Sequence, residues 1–78
     1  MPKLPRITGK ELVKALEKEG FEVVRQRGSH VQVRKYVEGK KVTFPVPIHK
    51  GKILKSGTLR GILRKGGISV ERLIELLA

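Results

Sequence analysis

Apolar residues recur with a helical period in the first part of the chain, with a strand period in the middle, and with a helical period again at the end. Leu12, Ala15 and Leu16 form a narrow apolar stripe backed by Val13. Lys10, Lys14, Glu17 and Lys18 lie on the wet side of that stripe, which predicts a helix from about Gly9 to Glu19. Thr8-Gly9-Lys10-Glu11 has the spacing of a capping box, and Ile7 and Leu12 hold the two positions of a hydrophobic staple. Gly20 is the expected stop. Before the cap, residues 1–6 read as a short arm, because Pro2 and Pro5 oppose helix.

The period then changes to two. Phe21 to Arg27 reads as a strand in which Phe21 and Val23 alternate with Glu22. Val24 breaks the alternation, so this strand is expected to be covered on both sides near its start. His30 to Val37 alternates more cleanly: Val31 and Val33 point one way, and His30, Gln32, Arg34 and Tyr36 the other. A turn at Glu38-Gly39-Lys40 leads to a third strand, Lys41 to Val46, with Val42, Phe44 and Val46 on its apolar face. Pro45 and Pro47 mark that strand as an edge, or mark its end, since neither donates to a ladder.

Ile48 to Gly57 is a loop rich in Lys and Gly. A helix follows from about Thr58 to Lys65, with Leu59, Ile62 and Leu63 inward and Gly61 a mild flaw. Gly66-Gly67 ends it, and Ser69 caps a last helix, Val70 to Leu77, with Val70, Leu73, Ile74 and Leu77 on one face. The predicted fold is α+β, in the order α-β-β-β-α-α. It is a three-stranded antiparallel sheet with helices on one face, built as one domain over residues 1–78.

Charge adds a location to this layout. The net charge is +11, and its excess lies in the middle of the chain. Between Arg25 and Lys65 there are twelve Lys and Arg against Glu38 alone, whereas elsewhere six cations balance six carboxylates. That is the electrostatic footprint of a polyanion, since each cation near a phosphate releases condensed counterions. Cysteine is absent, which removes disulfides and thiolate metal sites. No apolar run is long enough to span a membrane, and Met-Pro-Lys-Leu-Pro lacks the apolar middle of a signal peptide, so a soluble cytoplasmic protein is expected.

The candidate chemistry sits at Gly28-Ser29-His30, between the first two strands. The imidazole has Arg25 and Arg27 before it and Arg34 and Lys35 after it. Histidine is the side chain that both takes and gives a proton near neutral pH without a special environment. These residues are therefore expected to hold His30 against a nucleic-acid backbone.

The order of elements resembles the double-stranded RNA-binding fold, and the motifs resemble something narrower. Met-Pro-Lys-Leu-Pro-Arg, Gly20-Phe21, Arg25-Gln26-Arg27-Gly28-Ser29-His30, Pro47-Ile48-His49, Gly57-Thr58-Leu59-Arg60 and Gly67-Ile68-Ser69 together resemble the HicA toxins, also called the YcfA-like family. The resemblance covers nearly the whole chain, in order. It implies a small ribonuclease of a toxin–antitoxin pair that cleaves mRNA and arrests translation. It implies that His30 is the catalytic residue, and that a HicB antitoxin binds the toxin and masks the site. Many members carry a second histidine or an aromatic directly after the motif; here that place is Val31.

RNA can be cut without a metal, because the 2′-hydroxyl is a built-in nucleophile that needs a base, an acid and cations for the phosphoryl oxygens. His30 is the candidate for one proton-transfer role, and His49, at the head of the basic loop, for the other. Arg25, Arg27, Ser29, Arg34, Lys35, Lys50, Lys52, Lys55, Arg60 and Arg64 are the expected RNA contacts. No cofactor is expected: the acids are all Glu, spread over both ends and one hairpin turn, and form no two-metal set. A module that binds RNA without cutting it is the alternative reading, and a subunit that presents its basic face to an acidic protein is a third.

Overall fold

The structure, a computed structural model, describes residues 3–78. Of the expected arm, Met1 and Pro2 lie outside the described residues. Lys3–Arg6 form neither helix nor strand, and Leu4 packs against the core. The capping box forms as predicted. The Glu11 amide donates to the Thr8 hydroxyl (3.2 Å), and the Thr8 amide donates to the Glu11 carboxylate (2.9 Å). Helix α1 (Gly9–Lys18) starts there and buries Leu12, Ala15 and Leu16. It ends where Gly20 takes φ 102 and the Phe21 amide reaches back to the Leu16 carbonyl (3.0 Å). This closure brings Phe21 under the helix as a buried core residue.

Three antiparallel strands follow, β1 (Glu22–Arg27), β2 (His30–Val37) and β3 (Lys40–Pro47), in the order β1-β2-β3. Val31, Val33, Phe44 and Val46 form the covered face of the sheet. The second turn holds only Glu38 and Gly39, both with positive φ, so β3 begins one residue earlier than expected. β3 is an edge strand, as its prolines require.

Helix α2 (Ser56–Gly66) starts before the predicted Thr58 and buries Leu59, Ile62 and Leu63. It closes at Gly67, with φ 68. Helix α3 (Val70–Leu77) has the predicted bounds and the predicted Ser69 cap. The helices and the covered face share one hydrophobic cluster, and the other sheet face carries no helix among the described residues.

Two sequence expectations need correction. β1 is not covered on both sides: all six of its residues are exposed. The broken alternation at Val24 is a β-bulge between Val23 and Arg25. The extra residue lets Val23 stand opposite Val33 while Glu22 stands opposite Arg34. In α3, Leu76 is buried while Ile74 is 41% exposed, so the inward face is rotated from the expected one. Two ties hold α3 in that setting. Arg72 donates to both carboxylate oxygens of Glu19, and the Lys18 ammonium donates to the Leu76 carbonyl (3.1 Å). The Arg72 hydrogen bonds hold the Glu19 carboxyl below its usual pKa. No helix among the described residues is long and apolar enough to cross a membrane.

Candidate functional site

Gly28 and Ser29 form a two-residue turn that pairs Arg27 with His30 across β1 and β2. Gly28 has φ 54, a conformation that L side chains rarely adopt. The Gln26 amide donates to the Gly28 carbonyl (3.2 Å) and braces the turn. His30 then stands on the helix-free face of the sheet, exposed, with Arg27 on one side and Pro47 on the other.

The next tie decides the site. The Ile48 amide donates to the Ser29 carbonyl (2.7 Å), extending the ladder one step past β3. His49 therefore follows directly beside His30. Their ring centroids are 6.4 Å apart and the rings meet edge to face, at 76°. Among the described residues, neither imidazole is hydrogen-bonded to another side chain or to the backbone, so both are open to a ligand. The two rings are therefore neighbours on one exposed surface.

The loop that carries His49 is fixed at both ends. The Lys52 amide donates to the His49 carbonyl (3.0 Å), with Gly51 at φ 72. Ile53 bridges Thr8, and the Leu54 amide donates to the Ile7 carbonyl (2.8 Å). On the other side, Gly9 touches the end of β3: a Cβ on Gly9 would lie 1.8 Å from the Pro47 carbonyl oxygen. The absence of a side chain there is what lets α1 approach the backbone just before His49.

The expected cations are only partly gathered. Arg25 and Arg27 are exposed on β1, in the rows of Gln32 and His30. Lys50 flanks His49 in one cleft, and Lys52 and Lys55 flank it in a second. Arg34 lies on the sheet face of His30, but its guanidinium donates twice to Glu22 and sits 5.5 Å from the Tyr36 ring centroid. Hydrogen bonding to Glu22 raises the Arg34 pKa above the usual value. Lys35 points to the other face, where its ammonium donates to the Glu19 carbonyl (2.8 Å) and lies over Phe21. It caps α1 rather than joining His30. Arg60 lines a groove with Leu4, Arg6 and Lys55, and Arg64 a groove between α2 and α3; neither groove includes His30 or His49.

Gly9, Gln26 and the tie from Ile48 to Ser29 did not emerge from the sequence. The last had a readable signal. A two-residue turn at Glu38-Gly39 places Pro47 opposite His30 by counting alone, and His49 follows two residues on. Among the described residues no group of three or more His, Cys, Asp or Glu is placed to hold a metal ion.

A family model described as HicA toxin of bacterial toxin-antitoxin matches residues 9–68. The chain belongs to the HicA toxin family. The matched span includes the Gly-Ser-His turn, all three strands, the His49 loop and α2. Comparison with curated proteins and with solved structures returned no match. As a HicA-family toxin, the chain is one half of a toxin–antitoxin partnership.

Proposed function

We propose that this HicA-family chain is a metal-independent endoribonuclease that cleaves mRNA in the cytoplasm, with His30 and His49 as its general acid–base pair. The observation that carries the reading is the exposed, edge-on pair of imidazoles at 6.4 Å on a basic rim. One imidazole removes the proton of the ribose 2′-hydroxyl, and the 2′-oxygen attacks the adjacent phosphorus. The bond from phosphorus to the 5′-oxygen breaks, and the other imidazole, protonated, gives its proton to that oxygen. The products are a 2′,3′-cyclic phosphate and a 5′-hydroxyl. Arg25, Arg27, Lys50 and Lys52 supply positive charge for the phosphoryl oxygens and for the strand on either side.

The proposed partner is a HicB-like antitoxin that covers the imidazole pair and presents carboxylates to the surrounding cations. The unit of function is one domain over residues 1–78.

Product chemistry tests the mechanism. Purified protein incubated with end-labelled RNA and chelator should give cyclic-phosphate and 5′-hydroxyl ends, and a single 2′-deoxy substitution should block cleavage at that linkage. Ends bearing a 5′-phosphate, or loss of cleavage with chelator, would reject the mechanism. RNA left intact at saturating protein would leave only an RNA-binding module.

A further inference from the structure

β1 is exposed on its helix-facing side as well as on its open side, and a cleft lies beside it, lined across from β1 by Lys10 and Val13 of α1. The cleft has a volume of about 460 Å³, within the range of about 300–1,000 Å³ typical of small-molecule sites. Val13, Val23, Val31 and Ile48 give it aliphatic walls, and Gln26, His49 and Lys50 also line it. Lys10 stands at the start of α1 on the same cleft. Val23 remains 44% exposed although it faces the covered side of the sheet.

We propose that this cleft is a subsite for the RNA nucleobase next to the scissile phosphate, with Gln26 as its polar anchor. The proposal rests on the reading of His30 and His49 as the pair that flanks the phosphate. His49 itself lines the cleft, so a phosphate held there has its attached nucleoside within one nucleotide's reach of it. Aliphatic walls take the flat faces of a base by burial, and Lys10 and Lys50 sit where the chain of phosphates enters and leaves. Gln26 supplies a hydrogen bond to the base. The Gly28 carbonyl can only accept, so it holds the amide –NH₂ of Gln26 toward the turn. The Gln26 carbonyl oxygen is left as an acceptor, which the amino group of adenine, cytosine or guanine, or the N3–H of uracil, can meet.

Methyl NMR of the intact chain tests this without relying on catalysis. Titration with adenosine or cytidine 3′-monophosphate should give saturable shifts at the methyls of Val13, Val23 and Ile48. Uridine 3′-monophosphate should shift the same methyls, since its N3–H can meet the same acceptor. Inorganic phosphate should move only the imidazole signals. Val23→Phe fills the cleft from a half-exposed position; it should remove the Val13 and Ile48 shifts while the imidazoles still respond to phosphate, and its circular dichroism should match wild type. Gln26→Ala should weaken nucleotide binding about three- to tenfold, as expected for one lost hydrogen bond. Nucleotides that perturb only the residues phosphate perturbs would overturn the subsite, and unchanged affinity in Gln26→Ala would overturn the role of Gln26. RNA cleavage is measured alongside: cleavage without cleft shifts removes the subsite alone, and cleft shifts without cleavage remove the nuclease reading alone.

Discussion

Gly9→Ala puts a methyl carbon 1.8 Å from the Pro47 carbonyl oxygen, 2.8 Å from the Pro47 carbonyl carbon and 3.0 Å from the Ile48 Cα. All three are backbone atoms, so no side chain can swing away. Real Cβ atoms essentially never come closer than 3.0 Å. α1 and the end of β3 must therefore separate by about 1.2 Å to reach even that limit. Overpacking of this kind costs about 1–3 kcal/mol, while alanine recovers at most about 1 kcal/mol of helix propensity, and less in the first turn. The expected result is a net loss near the upper part of that range. For a domain of this size, each kcal/mol lowers Tm by about 4–8 °C. Total stability for 78 residues is on the order of 4–12 kcal/mol, so the variant still folds. The same displacement moves the backbone that leads into His49, and a shift of about 1 Å at a catalytic group can cost about a hundredfold in rate. Thermal denaturation and RNA cleavage of the same preparation check both halves. A Tm at or above wild type would refute the close approach. A lowered Tm with unchanged cleavage would refute the claim that Gly9 positions His49.

Gly61→Ala should raise stability by about 1 kcal/mol in a denaturant melt, because Gly61 is inside α2 and a Cβ there meets nothing within 4 Å. Leu76→Ala should cost about 2–5 kcal/mol and Ile74→Ala less than about 1 kcal/mol; equal losses would contradict the observed rotation of α3. Glu19 has its pKa lowered by Arg72, so its ionised form is favoured in the folded chain and it stabilises the fold at pH values above its unfolded pKa. Melts of Glu19→Gln should fall below wild type at pH 7. The gap should close as acid titrates wild-type Glu19 from 4.5 downward through its lowered folded value. A gap that stayed constant across that range would rule out the pairing as its cause.

Much of the fold was legible in local pattern. The capping box at Thr8, the alternation of β2, the prolines of β3 and the glycines at helix ends each act over a few residues, and each formed in place. What was not legible depends on contacts between distant segments. The bulge at Val24 changes register, and only the register reveals that Glu22 meets Arg34. In α3, Val70, Leu73 and Leu77 fit a stripe completed by either Ile74 or Leu76, and the ties to α1 choose Leu76. Lys35 reads as one more cation beside the motif, yet strand parity sends it to the α1 carbonyl. His30 was found from its turn and its charged neighbours. The placement of His49 beside it needed the ladder to be counted across β3.

The most direct measurement is single-turnover cleavage of one RNA substrate by wild type, His30→Ala and His49→Ala, with RNA affinity and circular dichroism measured on each. Both side chains are exposed, so their removal should leave folding intact and change RNA affinity little. The account predicts that His30→Ala abolishes cleavage and that His49→Ala slows it by about 10²–10⁴-fold, the usual loss for a proton-transfer group. Cleavage by folded His30→Ala at the wild-type rate would contradict the account.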